Sequence, residues 1–486
     1  QLYGGINMKI DKNSETPLYI QVYKNIKNMI ENNELKEGDK LPSIRSLSDR
    51  LGVNNITIVN AYKLLEQDKY VYSIKGSGTY VRKAYNMDIS YMEDGDIELM
   101  VGGVLPISKD SINFSSVSPT PEIFPIEEFK QSLIEVLDRD KGNAFMYPEI
   151  NGYKPFRESI SSFLHENYNM NVDKDQILVI SGGQQGIDII TKTLVNQGDY
   201  IFVENPTYSA AISAFKSRGA KIIGIPMLED GIDFEVLEKY LKRLNPKFLY
   251  MMTNYQSPTT YSYSMEKKKK LIDMSTKYDF YIIEDDFLTD LSYEDKKLPL
   301  KSMDNLDTVI YIKSFSKIFM PGVRIGFMTV PKKLFASIIK AKHTTDISSS
   351  GFFQRAFDLY LRKGLWKIHI ETIRKVYFEK YNTMIKELER LKKYGISFLE
   401  PKGGLSIWIR LPESIDSVDL YKECIENGLS FVPGKIFFID DNLYTNYIRL
   451  SFGAVSKKEI ITGIQIIENC LKKKQKKEGN KYLPFI

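Results

Sequence analysis

The chain has 486 residues, 43% hydrophobic and 27% charged, values that exclude a disordered or fibrous protein. At this length two or three domains are expected, and a net charge of +5 spread over them neither demands nor excludes nucleic acid. Cys424 and Cys470 are the only cysteines, and His165, His343 and His369 have no paired spacing, so neither a disulfide framework nor a metal site is expected. No run of about 18 apolar residues suggests a membrane span, and no secretory signal is read. A cytoplasmic protein of a reducing compartment is the expectation.

The first folded module is expected to begin at Met8, after residues 1–7. Leu18, Val22, Ile26, Met29 and Ile30 recur at helical spacing, and this helix is expected to stop near Gly38. Ser43 can cap a second helix through Leu47 and Leu51, which Gly52 breaks. Asn54 can cap a third, with Ile58, Ala61, Tyr62, Leu64 and Leu65 on its buried face. Short β-like pieces at 70–74 and 79–81 flank the turn Lys75-Gly76-Ser77-Gly78. Three helices followed by a hairpin form a winged helix-turn-helix pattern over residues 8–83. This stretch holds 13 Lys or Arg against 9 Asp or Glu, a local surplus that suits phosphate contacts.

Residues 84–110 turn acidic, with Asp88, Glu93, Asp94, Asp96 and Glu98, and read as a linker. From 111 to 478 helical stretches alternate with short apolar strands at 177–180, 200–203, 221–225, 248–252, 280–284, 309–312 and 325–330. That alternation predicts an α/β domain with a mostly parallel sheet. From about residue 374 a long charged helix and strand-like pieces at 404–410 and 447–452 suggest a small α+β subdomain.

Within the large domain, Gly182-Gly183-Gln184-Gln185-Gly186 follows a strand and opens a helix, a turn that offers amide groups to an anion. Asp285 and Asp286 close another strand, where open α/β sheets place their ligands. Ser314-Phe315-Ser316-Lys317 follows a third, with Arg324 one turn on. Each piece alone has a bland reading; their order carries the information.

The N-terminal stretch resembles the GntR family of winged-helix repressors, through Pro17-Leu18-Tyr19, Gly38-Asp39-Lys40-Leu41-Pro42-Ser43-Ile44-Arg45, Leu51-Gly52-Val53, Ala61-Tyr62 and Gly76-Ser77-Gly78-Thr79-Tyr80-Val81. The resemblance implies binding to a double-stranded DNA operator, with Ser43 and Arg45 at the second helix and Asn54, Asn55 and Thr57 towards the major groove. Lys75 and Gly76 would form the wing tip. The large domain resembles the fold-type I pyridoxal-phosphate enzymes of the aminotransferase class, through the pieces above and Glu204-Asn205-Pro206-Thr207-Tyr208, Pro258-Thr259, Gly403-Gly404 and Arg449-Leu450-Ser451-Phe452. The joint architecture looks like the MocR-type regulators, which implies pyridoxal 5'-phosphate held as an aldimine on Lys317. Asp285 would pair with the pyridine nitrogen and Tyr208 would stack on the ring. Gly183, Gln184, Ser314 and Arg324 would hold the phosphate, Ser257 would stand where many relatives carry an asparagine donor, and Tyr147 would enter from the second subunit of a homodimer. Arg449 would bind the carboxylate of an amino-acid-like effector, unless the cofactor is itself the signal.

Phe287 stands where such proteins commonly have a tyrosine, and cannot donate a hydrogen bond. Together with Ser257-Pro258-Thr259-Thr260 this favours sensing, with little or no transaminase turnover. The alternative is an active aminotransferase with a vestigial winged helix.

Overall fold

The structure, a computed structural model, describes residues 8–81 (apart from 9, 13, 15, 32–33, 37, 68–69 and 75–76), then 111–440 and 445–481. The expected linker at 84–110 and the expected wing tip at Lys75 and Gly76 lie outside the described residues. Contacts divide the chain into two compact units, Gln1–Gly95 and Asp96–Ile486.

The first unit has helices α1 (Leu18–Glu31), α2 (Ile44–Leu51) and α3 (Asn55–Gln67), then an antiparallel hairpin of β1 (Val71–Ile74) and β2 (Gly78–Val81). The Ser43 side chain caps α2 by accepting from the Ser46 amide, and Gly52 ends it at φ 61. Helix α1 stops well short of Gly38. Its buried stripe ends at Ile30, and the Glu34 and Leu35 amides turn back onto the Met29 carbonyl. Val22, Ile26, Leu47, Ile58, Ala61, Leu65, Val71 and Val81 make the core.

The second unit runs through β3 (Ile112–Asn113), β4 (Ile177–Ile180), β5 (Tyr200–Asn205), β6 (Lys221–Leu228), β7 (Gly231–Ile232), β8 (Pro246–Met251), β9 (Tyr281–Asp286), β10 (Val309–Ser314) and β11 (Gly326–Thr329). All but β3 form one sheet in the order β4-β11-β10-β9-β8-β5-β6-β7. Strands β10, β9, β8, β5 and β6 pair in parallel, whereas β11 and the edge strand β7 run antiparallel to their neighbours. Apolar clusters cover both faces, which is why β4 and β10 are buried along their whole length. No described helix is long and apolar enough to cross a membrane.

The C-terminal subdomain adds β12 (Ser397–Phe398), β13 (Ser406–Arg410), β14 (Leu429–Ser430), β15 (Val432–Pro433) and β16 (Tyr447–Ser451). Its sheet, β12-β13-β16-β15, is antiparallel. One feature departs from the linear division of the sequence: β3 leaves the large sheet and pairs in parallel with β14. The Ile112 and Phe114 amides donate to Gly428 and Ser430, and Phe114 is fully buried.

Adjacent β9 and β10 align Ile312 with Asp285 and Lys313 with Asp286. Lys313 is fully buried, with Nζ 3.2 Å from Asp286 Oδ2, 2.7 Å from Asp290 Oδ2 and 3.0 Å from the Tyr168 hydroxyl. Tyr311 donates to Asp286 and Tyr168 to Asp290, each at 2.5 Å. Removing one partner leaves buried charge uncompensated. Lys313→Met should therefore cost about 3–5 kcal/mol in denaturant unfolding, whereas a loss within error would show that the network contributes nothing.

Candidate functional site

Gly182 holds φ 104 at the start of helix Gly183–Leu194, and a Cβ there would fall 2.8 Å from Arg324 Nη2. No side chain caps this helix, so the first amides, at Gly183 and Gln184, point out of it ready for an anion. A Cβ on Gly183 would lie 3.7 Å from Asp285 Oδ1 and 3.7 Å from Ser314 Cβ. The helix start, Asp285, Ser314 and Arg324 therefore meet in one place, at the carboxyl ends of β9 and β10. Gln184 is exposed, and its side chain donates to the Ala210 carbonyl.

Asp285 is buried, and its Oδ2 accepts from the Tyr250 hydroxyl at 2.7 Å. Burial pushes its carboxyl up to about 6, against the pull of the Tyr250 donor, and the Asp286 charge adds to the rise. Burial alone would raise Asp286 too, but the Lys313 charge and the Tyr311 and Thr289 hydrogen bonds hold it below the ordinary range. The two neighbouring carboxyls are thus set apart.

Lys317 is partly buried three residues beyond β10. Loss of water pushes its amine down to about 8, and the Arg449 and Arg324 charges act in the same direction. Arg449 is buried on β16; its Nη2 donates to the Ser115 carbonyl at 2.8 Å, while its Nε has no partner among the described residues. Arg324 sits in the left-handed region at φ 53 and reaches Ser316 Oγ at 3.4 Å. Tyr208 stands at the N-cap position of helix Ser209–Lys216 without a side-chain cap, and its phenol is raised, by burial first and then by the Asp285 charge, against the pull of Arg449.

Ser257 is half-buried in a loop held by left-handed Tyr255 and Thr260, and Tyr147 is 80% exposed. Phe287 packs against the core and brings no hydroxyl, and the Tyr263 hydroxyl donates to Glu204 at 2.7 Å. The sequence reading missed Tyr250 and the Lys313 network. A lysine inside the apolar run of β10 was the available signal for the network, since a buried amine needs carboxylates.

A ligand with an aldehyde, a basic ring nitrogen and a phosphate fits this donor set. Lys317 offers a readily neutral amine, Asp285 a carboxylate, and Gly183, Gln184, Ser314 and Arg324 the phosphate donors.

In the first unit Ser43 and Arg45 are exposed at the start of α2, and Asn54 and Asn55 are exposed and Thr57 half-exposed at the start of α3. Asn54 Oδ1 accepts from the Ile56 amide, and Asn55 Oδ1 accepts from Ser48 Oγ at 2.5 Å, which leaves the Asn55 amide nitrogen as its outward donor.

Residues 18–81 match the family described as bacterial regulatory proteins, gntR family, and residues 109–467 match aminotransferase class I and II. The HTH-type transcriptional regulator YdfD of Bacillus subtilis is 29% identical over 93% of this chain and 96% of its own length. The probable rhizopine catabolism regulatory protein MocR of Rhizobium meliloti is 24% identical over 87% of this chain and 88% of its own. Among solved structures, LysN, the alpha-aminoadipate aminotransferase of Thermus thermophilus complexed with N-(5'-phosphopyridoxyl)-L-leucine, superposes with a TM-score of 0.70 at 29% identity, covering 76% of this chain and 93% of that one. With both family matches on one chain and regulators aligned across both units, the protein belongs to the class I and II aminotransferase family as a MocR-type member of the GntR regulators, a winged helix-turn-helix fused to an aminotransferase-like domain.

Proposed function

We propose that this protein is a cytoplasmic DNA-binding transcriptional regulator whose large unit holds pyridoxal 5'-phosphate and responds to an amino-acid-like effector or to the cofactor itself. The observation that carries the reading is Lys317: a depressed amine beside Arg324 and Arg449, on a chain that also has a winged helix. When bound, the cofactor supplies an electrophilic aldehyde and an electron-withdrawing ring. Lys317 would be the amine that holds the aldehyde, and Asp285 the carboxylate that would keep the ring nitrogen protonated. Tyr208 would stack on the ring and Ser257 would donate to it. Gly183, Gln184, Ser314 and Arg324 hold the phosphate, and Arg449 takes the effector carboxylate in a bidentate contact.

Tyr147, with Phe145 at 67% and Met146 at 63% exposure, forms an apolar surface that a second copy would cover. A homodimer would complete the site with the partner's Tyr147 and carry two winged helices to two half-sites. On the DNA side, Arg45, Ser43, Asn54, Asn55 and Thr57 are the contacting groups, with Lys75 and Gly76 at the wing. Phe287 supplies no phenol to control proton transfer, so turnover would be slow and the site would serve sensing.

Adduct formation with pyridoxal phosphate, trapped by borohydride, should rise with pH through about 8 as Lys317 loses its proton, and Lys317→Ala should abolish it. A persisting adduct would put the amine elsewhere. Cofactor affinity should fall as pH drops through about 6, where Asp285 becomes neutral. Tyr250→Phe should move that midpoint upward, because it removes a donor to the carboxylate; an unmoved midpoint would show that Asp285 does not govern affinity.

A second reading, an aminotransferase with an idle winged helix, is favoured by the likeness to LysN. Transfer to a keto acid at about 1 per second or faster, without DNA binding, would establish it. On the regulator reading Arg45→Ala weakens operator binding and lowers the salt slope by about 1, and an unchanged isotherm would remove Arg45 from the DNA surface.

A further inference from the structure

Helix α3 buries Ile58, Ala61, Tyr62 and Leu65 in the core of its unit. Ile56, Asn60 and Lys63 lie on the opposite stripe and are exposed, since positions four and seven residues apart share a helical face. Ile56 is 64% exposed, and the other exposed large aliphatic side chain among the described residues of this unit, Ile44, reaches only 38%. Folding gives no reason for it. An isoleucine at an exposed helical position is a poorer helix former than alanine, and Ile56 stands outside the core cluster. It sits in the first turn of α3, next to Asn54 and Asn55, at the end that a recognition helix presents to base edges. Of the four bases only thymine offers an apolar group in the major groove, its 5-methyl.

We propose that Ile56 reads a thymine 5-methyl group, so that each operator half-site carries a thymine at one fixed place, with Asn60 facing a neighbouring base edge and Lys63 the backbone. Resting on the regulator reading, the inference names the base chemistry which that surface selects. Removing the methyl loses about one buried carbon, roughly 0.8 kcal/mol or close to a fourfold change in Kd.

The test begins with selection of bound duplexes from a random pool by the full chain, followed by anisotropy titrations. The selected half-sites should share a thymine whose replacement by deoxyuridine weakens the wild-type protein about fourfold. Ile56→Ala should bind the thymine and deoxyuridine duplexes equally, and Ile56→Val should keep part of the preference. If Ile56→Ala still prefers thymine, or a bound pool shows no fixed thymine, the inference is overturned while the regulator reading stands. If the chain binds no duplex in a salt-dependent way, the regulator reading falls and takes the inference with it.

Discussion

Two aspartates adjacent on β9 serve opposite faces of the sheet, and the candidate site depends on keeping them apart. Successive side chains of a strand alternate in direction. Asp286 turns towards Lys313, Tyr311 and the Asp290–Tyr168 pair, and Asp285 turns towards Tyr250 and the start of helix Gly183–Leu194. Strand β10 repeats the division, with Lys313 on the stapled face and Ser314 on the ligand face. The buried ion pair thus fixes the ends of the two strands that carry Asp285, Ser314 and, three residues on, Lys317. It does so without spending any ligand-facing group. A carboxyl raised to about 6 beside one held low is what such an arrangement produces.

On the ligand face the charges are mostly of one sign. Lys317, Arg324 and Arg449 converge, and burial pushes the Arg449 guanidinium down to about 10. Buried like charges are costly until an anion arrives, so a phosphate and a carboxylate are the ligands that relieve them. The same guanidinium donates to the Ser115 carbonyl, just past β3, and from there the chain leads back to the winged helix.

Much of this was legible in the sequence because the relevant patterns are local. Ser43 and Gly52 announced the bounds of α2 through capping chemistry, and alternating helices and apolar strands announced the parallel sheet. The end of α1 was misplaced because Gly38 is a strong local signal, whereas the helix ends where its buried stripe ends. The partnership of β3 with β14 spans more than three hundred residues and has no local signature. Tyr250 was missed for a related reason. In a run of buried apolar residues its hydroxyl carries no mark of the carboxylate that the fold brings to it from the next strand.

On the proposed regulator reading, ligand binding in the large unit and DNA binding by the winged helix are energetically linked, and such linkage is reciprocal. The direct measurement is a pair of titrations on the full chain loaded with pyridoxal phosphate. One gives the Kd for a selected operator with and without a saturating amino acid that the protein binds; the other gives the Kd for that amino acid with and without operator. The same factor, different from one, is expected in both directions. Two ligands that each bind while neither changes the affinity of the other would contradict it.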